Sequence, residues 1–393
     1  MEFARRLEPL RANVFADMDR AKSAALAEGM NIVDLSLGSS DLPTDPVVLE
    51  AIAAALADPT THGYALFHST QPFRQAVARH YSQRYGIPID PETEVLPLIG
   101  CQEGTAHLPL AVLNPGDYAL LLDPGYPSHQ GGVVLAGGQI HPMRLRAEHG
   151  FLPQFGEIPA DILAQAKLMV LSYPHNPTTG TASLAFFQEA VAFCRAHDLL
   201  LAHDFPYVDL FFTGDRPPSI LEADREKSCS IEFFTFSKSY NMGGFRIGYA
   251  VGNGEMIRAL RQVKATIDFN QYRGIMAGAI AALDADASLV QATVQTFAQR
   301  RDLMVAALAK IGWPVPTPTA TMYLWAPLPE PWQQDSIGFC QKLVAQTGVA
   351  LAPGAGFGPG GEGYVRFALV HDVQVLEEAI ARIQTFLQTP EVH

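Results

Sequence analysis

The sequence predicts an α/β protein: a large domain built around a mostly parallel sheet, joined to a smaller α+β domain. Three observations carry that expectation. Apolar runs of strand length alternate with helix-like amphipathic stretches from about residue 95 to residue 251. Residues able to do chemistry fall directly after those runs. From about Ala277 the pattern changes to long helical periodicity, Pro-rich turns and one Gly-rich loop.

The elements follow in order. Runs at 95–99, 118–122, 167–173, 199–203, 233–236 and 247–251 read as strands. The amphipathic stretch Leu184–Ala196 lies between two of them and reads as a helix. Strand, helix and strand in repetition predict a mostly parallel sheet covered on both faces. In such sheets ligands sit beyond the carboxyl ends of the strands. The helical pattern after Ala277 runs to about Ile311, with turns at 313–318 and 327–331. A helix near 337–346, a Gly-rich loop at 353–363, a strand at 364–370 and a helix near 373–387 complete the chain. No internal repeat or low-complexity segment interrupts this order.

The chain has 393 residues, 48% of them hydrophobic, which is more than one compact core holds. Its formal net charge is -13 and no long Lys/Arg stretch offsets it. Nucleic acid and anionic membrane surfaces are therefore poor partners. Cys101, Cys194, Cys229 and Cys340 form no CxxC pair, so neither a zinc site nor a disulfide framework is expected. Reduced thiols in a cytoplasmic protein fit best. MEFARRLEPL has no apolar core followed by a cleavage site, and no apolar run approaches the roughly 20 residues that span a bilayer.

FSKSYNMGGFRIGY, at 236–249, sets Lys238 directly after an apolar strand, between Ser237 and Ser239. A lone lysine is usually a solvated surface residue. Here the apolar strand and the glycines nearby work against solvation, and a partly desolvated amine can form a Schiff base with a carbonyl cofactor. Arg246, eight residues on, is a candidate bidentate partner for a phosphate. HDFPYVDL, at 203–210, places Asp204 at a strand's carboxyl end. A carboxylate there favours the protonated form of a pyridine nitrogen, which makes the ring an electron sink. Tyr207 is three residues further on; an Asp that merely caps a turn is the plainer explanation for the segment alone.

IGCQEGTAHL, at 99–108, is a strand turning into a helix through Gly100, with Cys101 and Gln102 where the helix amides point. Such amides make an anion site. YPHNPTTG, at 173–180, puts Asn176 before Pro177, a bond able to be cis. DPGYPSH, at 123–129, offers Tyr126 to stack on a flat ring, or simply a Pro-Gly turn with a buried tyrosine. His62, His68, His107 and His203 lie in or beside motifs, but their spacing makes no metal site.

The joint occurrence of these motifs, in this order after successive strands, is specific. The chain resembles the class I/II aminotransferases, pyridoxal-phosphate enzymes of fold type I, from about Asn31 to Phe386. NVFADMDRAK, GCQEGTAHLPLAVLNPGDYALLLDPGYPSH and SKSYNMGGFRIGY point to the branch holding alanine and LL-diaminopimelate aminotransferases. The resemblance implies a seven-stranded sheet in a large domain of residues 37–276. It assigns 1–36 and 277–393 to the small domain, and it implies a homodimer with shared sites.

The resemblance also implies roles. Lys238 resembles the Schiff-base lysine that later shuttles the proton at the substrate α-carbon. Asp204 matches the pyridine-nitrogen partner, and Asn176 and Tyr207 match contacts to the phenolic oxygen. Tyr126 matches the stacking aromatic; Ser237, Arg246, Cys101 and Gln102 match the phosphate cup. Tyr64, in HGYALFHST, resembles the tyrosine that serves the neighbouring subunit's cofactor. Arg366, in YVRFAL, matches the clamp on the substrate α-carboxylate, and Gly38, in LSLG, a backbone contact to substrate. Three positions depart: Gln102 replaces a usual Lys, Asn13 a usual Tyr, and Thr70 a common Gly. The departures point to alanine, aspartate or glutamate, paired with 2-oxoglutarate or pyruvate. LL-diaminopimelate and C–S lyase chemistry are the alternatives. A non-enzymatic sensor role would need an N-terminal DNA-binding domain, for which LSLG starts too early.

Overall fold

The computed structural model describes residues 3–10 and 14–389. Asn13 therefore lies outside the described residues. Twelve strands are present among them, in chain order β1 Val33–Asp34, β2 Val95–Leu98, β3 Tyr118–Asp123, β4 Gln139–Arg144, β5 Ala166–Ser172 and β6 Leu200–Asp204. They continue as β7 Ser230–Thr235, β8 Gly248–Gly252, β9 Tyr323–Pro327, β10 Val349–Ala350, β11 Ala352–Pro353 and β12 Tyr364–Ala368.

Seven strands form one sheet in the order β2-β8-β7-β6-β5-β3-β4. The pairs β3/β4, β3/β5, β5/β6 and β6/β7 are parallel, and β8 runs antiparallel to both β2 and β7. Its middle strands are mainly apolar because helices cover both faces; every residue of β7 is buried, Glu232 among them. The carboxyl ends of β2, β3, β5, β6 and β7 consequently share one edge. All six runs read as strands from the sequence lie in this sheet. The seventh, β4, is an edge strand whose QIHPMR, with Met143 alone buried, carries no apolar run.

Two other readings need correcting. The 233–236 run ends at Thr235, whose Oγ1 accepts from the Ser237 amide and opens the short helix Phe236–Ser239. The helical pattern from Ala277 to Ile311 is two helices, Arg273–Asp284 and Ser288–Lys310. The first belongs with the large sheet, to whose core it gives Met276, Ala279, Ala282 and Leu283.

A second core gathers Met18 and Val33 near one end of the chain with Phe297, Met304, Leu343 and Phe386 near the other. It carries the antiparallel sheet β11-β12-β9 and the parallel pair β1/β10. No single helix among the described residues is long and apolar enough to cross a membrane.

One carboxylate fixes the approach to β7. Asp224 is fully buried and accepts from the amides of Ser228, Cys229 and Ser230, from two serine hydroxyls and from Arg195. Burial opposes its ionisation, but those donors outweigh it and bring its pKa from 3.8 to about 2. A group depressed in this way stabilises the fold above its unfolded value and loses that contribution as pH falls through the folded one. Asp224→Asn is expected to destabilise the chain by about 2–3 kcal/mol at neutral pH. Urea unfolding should show the gap to wild type steady above pH 3.8 and closing towards pH 2. A gap that widens on acidification would refute the account.

Candidate active site

A cavity of about 630 Å³ opens at the shared strand edge, between the two cores. Asp204 ends β6, Asn176 follows β5 and Lys238 follows β7. Tyr126 follows β3, while Cys101 and Gln102 begin the helix after β2. Ser237, Tyr207, Arg246, Gly38 and Arg366 also line the cavity. The structure thus brings together every site residue read from the sequence but one. Tyr64 is 90% exposed on the outer surface, edge-on to the Phe269 ring.

Asp204 is buried. Its Oδ2 lies 3.1 Å from His129 Nε2, and its Oδ1 has no hydrogen-bond partner among the described residues. His129 stands one helical turn after Tyr126, and their rings meet edge to face. Burial, above all, pushes the Tyr126 phenol up to about 12. Burial also raises the Cys101 thiol well above its ordinary value, with Asp204 adding to it. The Asn176–Pro177 bond is cis.

The turn into the helix Cys101–Val112 needs glycine. Gly100 has φ 73° and ψ 157°, a region essentially restricted to glycine. A Cβ there would also stand 2.6 Å from Arg246 Nη2, and one on Gly248 would stand 2.9 Å from the Cys101 amide. Both glycines therefore keep a concavity where the helix amides, Ser237 and the Arg246 guanidinium face the cavity.

On the opposite wall, Arg366 is 5% exposed. It donates from Nη1 to Asn176 Oδ1 and from Nη2 to Ser36 O, each at 2.7 Å. Its guanidinium carbon lies 4.2 Å from the Tyr323 ring centroid and 4.7 Å from that of Phe357. Lys238 Nζ donates to Gly38 O.

The helix Val14–Ala27 supplies a wall that sequence reasoning missed, with Phe15, Met18, Asp19 and Lys22 on the cavity. Lys22 Nζ pairs with Asp19 at 2.7 Å and Asp34 at 2.9 Å. Burial works against the Lys22 charge, but the hydrogen bonds to those carboxylates outweigh it and raise its pKa above 10.5. His129 and Tyr323 were missed as well. The offset from Tyr126 was a usable signal for His129; Tyr323, inside an apolar run, gave none. His203 is structural, bonded to Glu232 at 2.8 Å inside the sheet. Glu103 and His107, on the helix Cys101–Val112, approach Asp268, and the Lys264 ammonium sits against both carboxylates.

This architecture, with a lysine, a buried carboxylate and an arginine around one cavity, is that of an amino-acid-processing enzyme. Residues 30–383 match the profile of the aminotransferases of class I and II, and the chain belongs to that family. An LL-diaminopimelate aminotransferase of Dehalococcoides mccartyi is 41% identical over 386 residues, 98% of this chain and 99% of the relative. LL-diaminopimelate aminotransferase 2 of Trichormus variabilis is 40% identical over 385 residues, 98% of each chain. Among solved structures, substrate-bound BacF of Bacillus subtilis superposes with TM-score 0.94 at 34% identity, over 98% of both chains. A probable N-succinyldiaminopimelate aminotransferase of Thermus thermophilus gives TM-score 0.90 at 43% identity, over 95% of this chain and 99% of that one.

The enzyme is a transaminase that uses pyridoxal phosphate. The cavity fits that cofactor on two counts: a buried carboxylate oxygen without a partner suits a protonated ring nitrogen, and the glycine-lined concavity beside Arg246 suits a phosphate.

Proposed function

We propose that the amino donor is a long amino acid with a second charged end, of the LL-diaminopimelate kind, and that Lys238 carries the cofactor. The carrying observation is the convergence of Lys238, the unpartnered Asp204 oxygen and the Arg366 guanidinium on one cavity. Bound pyridoxal phosphate supplies an electron sink for the substrate α-carbon. Asp204 Oδ1 holds the proton on the ring nitrogen. Tyr126 stacks on the ring, while Tyr207 Oη and Asn176 hold its phenolic oxygen. The amides of Cys101 and Gln102, Ser237 and Arg246 bind the phosphate. Arg366 takes both α-carboxylate oxygens and, with the Gly38 backbone, orients the substrate. Lys238 Nζ, freed from the cofactor, would be placed to take the proton from the substrate α-carbon.

The substrate reading departs from the alanine, aspartate or glutamate that the sequence suggested. That expectation rested on charges and contacts missing at Gln102 and Asn13. Lys22 supports the other choice, because it brings a cation to the cavity wall from a different element, with Asp19 of opposite sign beside it. A distal carboxylate and ammonium find complementary partners there. The names of the curated relatives, 39–41% identical, support the same reading. A homodimer completes the proposal: Tyr64, with Leu66 and Ile267, is exposed where a partner's site would take its hydroxyl. The four free thiols fit a reducing cytoplasm.

Borohydride reduction of the holoenzyme followed by peptide mapping should place the cofactor on Lys238, and any other lysine sinks the assignment. Lys238→Ala should retain cofactor through the phosphate contacts and lose about 10²–10⁴-fold or more in turnover. In a half-reaction screen, LL-diaminopimelate should exceed alanine and aspartate by about ten- to a hundredfold in kcat/KM, the worth of one charge-assisted contact at the far end. Inert LL-diaminopimelate with brisk alanine or aspartate would reverse the substrate choice. Light scattering at assay concentration should report a dimer; a fully active monomer would end the shared-site idea.

A further inference from the structure

Tyr323 lies on β9, in an apolar stretch with no charge to mark it. It is 1% exposed, and its Oη is 2.9 Å from Tyr207 Oη. The Arg366 guanidinium lies over its ring. A Cβ on Gly38 would overlap its hydroxyl, so only glycine at 38 lets the phenol reach so far. Gly38 O in turn accepts from Lys238 Nζ. One phenol thus touches the surroundings of Tyr207, Arg366 and Lys238 together.

Two phenols that share a hydrogen bond raise a question of direction. Each has a single O–H and can also accept. The one that donates within the pair has no proton for anything else. Tyr207 holds the cofactor's phenolic oxygen, in the reading given above, only if its own proton is free. We propose that Tyr323 is a positioning residue of the amino-transfer site: its hydroxyl donates to Tyr207 Oη and so turns the Tyr207 proton towards the cofactor's phenolic oxygen. This inference rests on the role assigned to Tyr207.

The two phenols differ in acidity. Burial, above all, raises the Tyr207 phenol well above 10.0. Burial also works to raise Tyr323, but the Arg366 and Lys238 charges, with the Tyr207 hydrogen bond, outweigh it and hold the phenol below 10.0. The more acidic phenol is the better donor. Its donation polarises the acceptor's own O–H, so the second hydrogen bond strengthens with the first.

The test uses the holoenzymes of wild type, Tyr207→Phe, Tyr323→Phe and the double variant, with the visible cofactor absorption titrated against pH. Donation to the phenolic oxygen draws negative charge from it. That lowers the pH at which the adjacent nitrogen of the Lys238 linkage loses its proton. Tyr207→Phe should raise the midpoint, and Tyr323→Phe should raise it by less. The double variant should match Tyr207→Phe alone, because Tyr323 acts only through Tyr207. Turnover of Tyr323→Phe should fall severalfold, with KM changed less than about twofold, since the ring under Arg366 remains. Site-specific 3-fluorotyrosine at 323, a stronger donor of nearly the same size, should lower the midpoint and keeps the test open if Tyr323→Phe does not fold. An unmoved midpoint in Tyr323→Phe beside a shifted Tyr207→Phe overturns this inference alone, as does a full additional shift in the double variant. An unmoved midpoint in Tyr207→Phe overturns the role of Tyr207 itself, and the inference falls with it.

Discussion

Asp204 keeps a carboxylate where water does not reach. One oxygen meets His129, while the other has no hydrogen-bond partner among the described residues. Such a group costs about 1–3 kcal/mol or more unless a donor meets it. In the proposed reading a protonated ring nitrogen would be that donor, so cofactor binding would relieve a penalty that the fold alone leaves standing. Preorganisation of this kind places the unfavourable part of the interaction in the folding of the protein. The remaining residues then have to deliver the ring to that oxygen at the correct height and angle.

Strand direction does most of that delivery. β5, β6 and β7 are parallel neighbours, so the residues following each emerge side by side: Asn176, Asp204 and Lys238. β8 runs the other way, so Arg246, just before it, enters at the same edge. In the proposed reading, phosphate, ring and lysine would thus be addressed from consecutive positions across one sheet. The precision depends on the sheet staying in register, and Asp224 clamps the three amides leading into β7 at the far end.

The same physics explains what the sequence discloses. Strands buried on both faces are mainly apolar, so β5, β6 and β7 stand out as runs, and the polar groups they do carry, such as His203 and Glu232, pair with each other. A charge or a glycine that interrupts such a run has to be stabilised by something, which marks Lys238, Asp204, Gly100 and Arg246 at once. β4 escapes because an edge strand needs no apolar continuity, and its His141, Pro142 and Arg144 read as loop. The break at 285–287 escapes because alanine suits helix and connection alike. Lys22 sits in an ordinary amphipathic helix and Tyr323 in an ordinary apolar strand. Their place on the cavity comes from packing between segments some three hundred residues apart in the case of Lys22 and Tyr323. No local pattern encodes that.

The two walls of the cavity also differ in how firmly their charges are fixed. Arg366 lies on β12 in the sheet β11-β12-β9, yet it bonds to Asn176, which follows β5 of the seven-stranded sheet, and to the carbonyl of Ser36. Its fork is held from two directions, which in the proposed reading would give the α-carboxylate end of a substrate a fixed reference point. The Lys22 end is built on a single helix, with Asp34 binding both Lys22 and Ser36. Asp34 thereby links the two walls, since Ser36 is the residue whose carbonyl orients Arg366. In the proposed reading, a substrate that engages Lys22 or Asp19 pulls on the same carboxylate that steadies the clamp. The far wall and the near one are thus joined through a chain of four residues, Lys22, Asp34, Ser36 and Arg366.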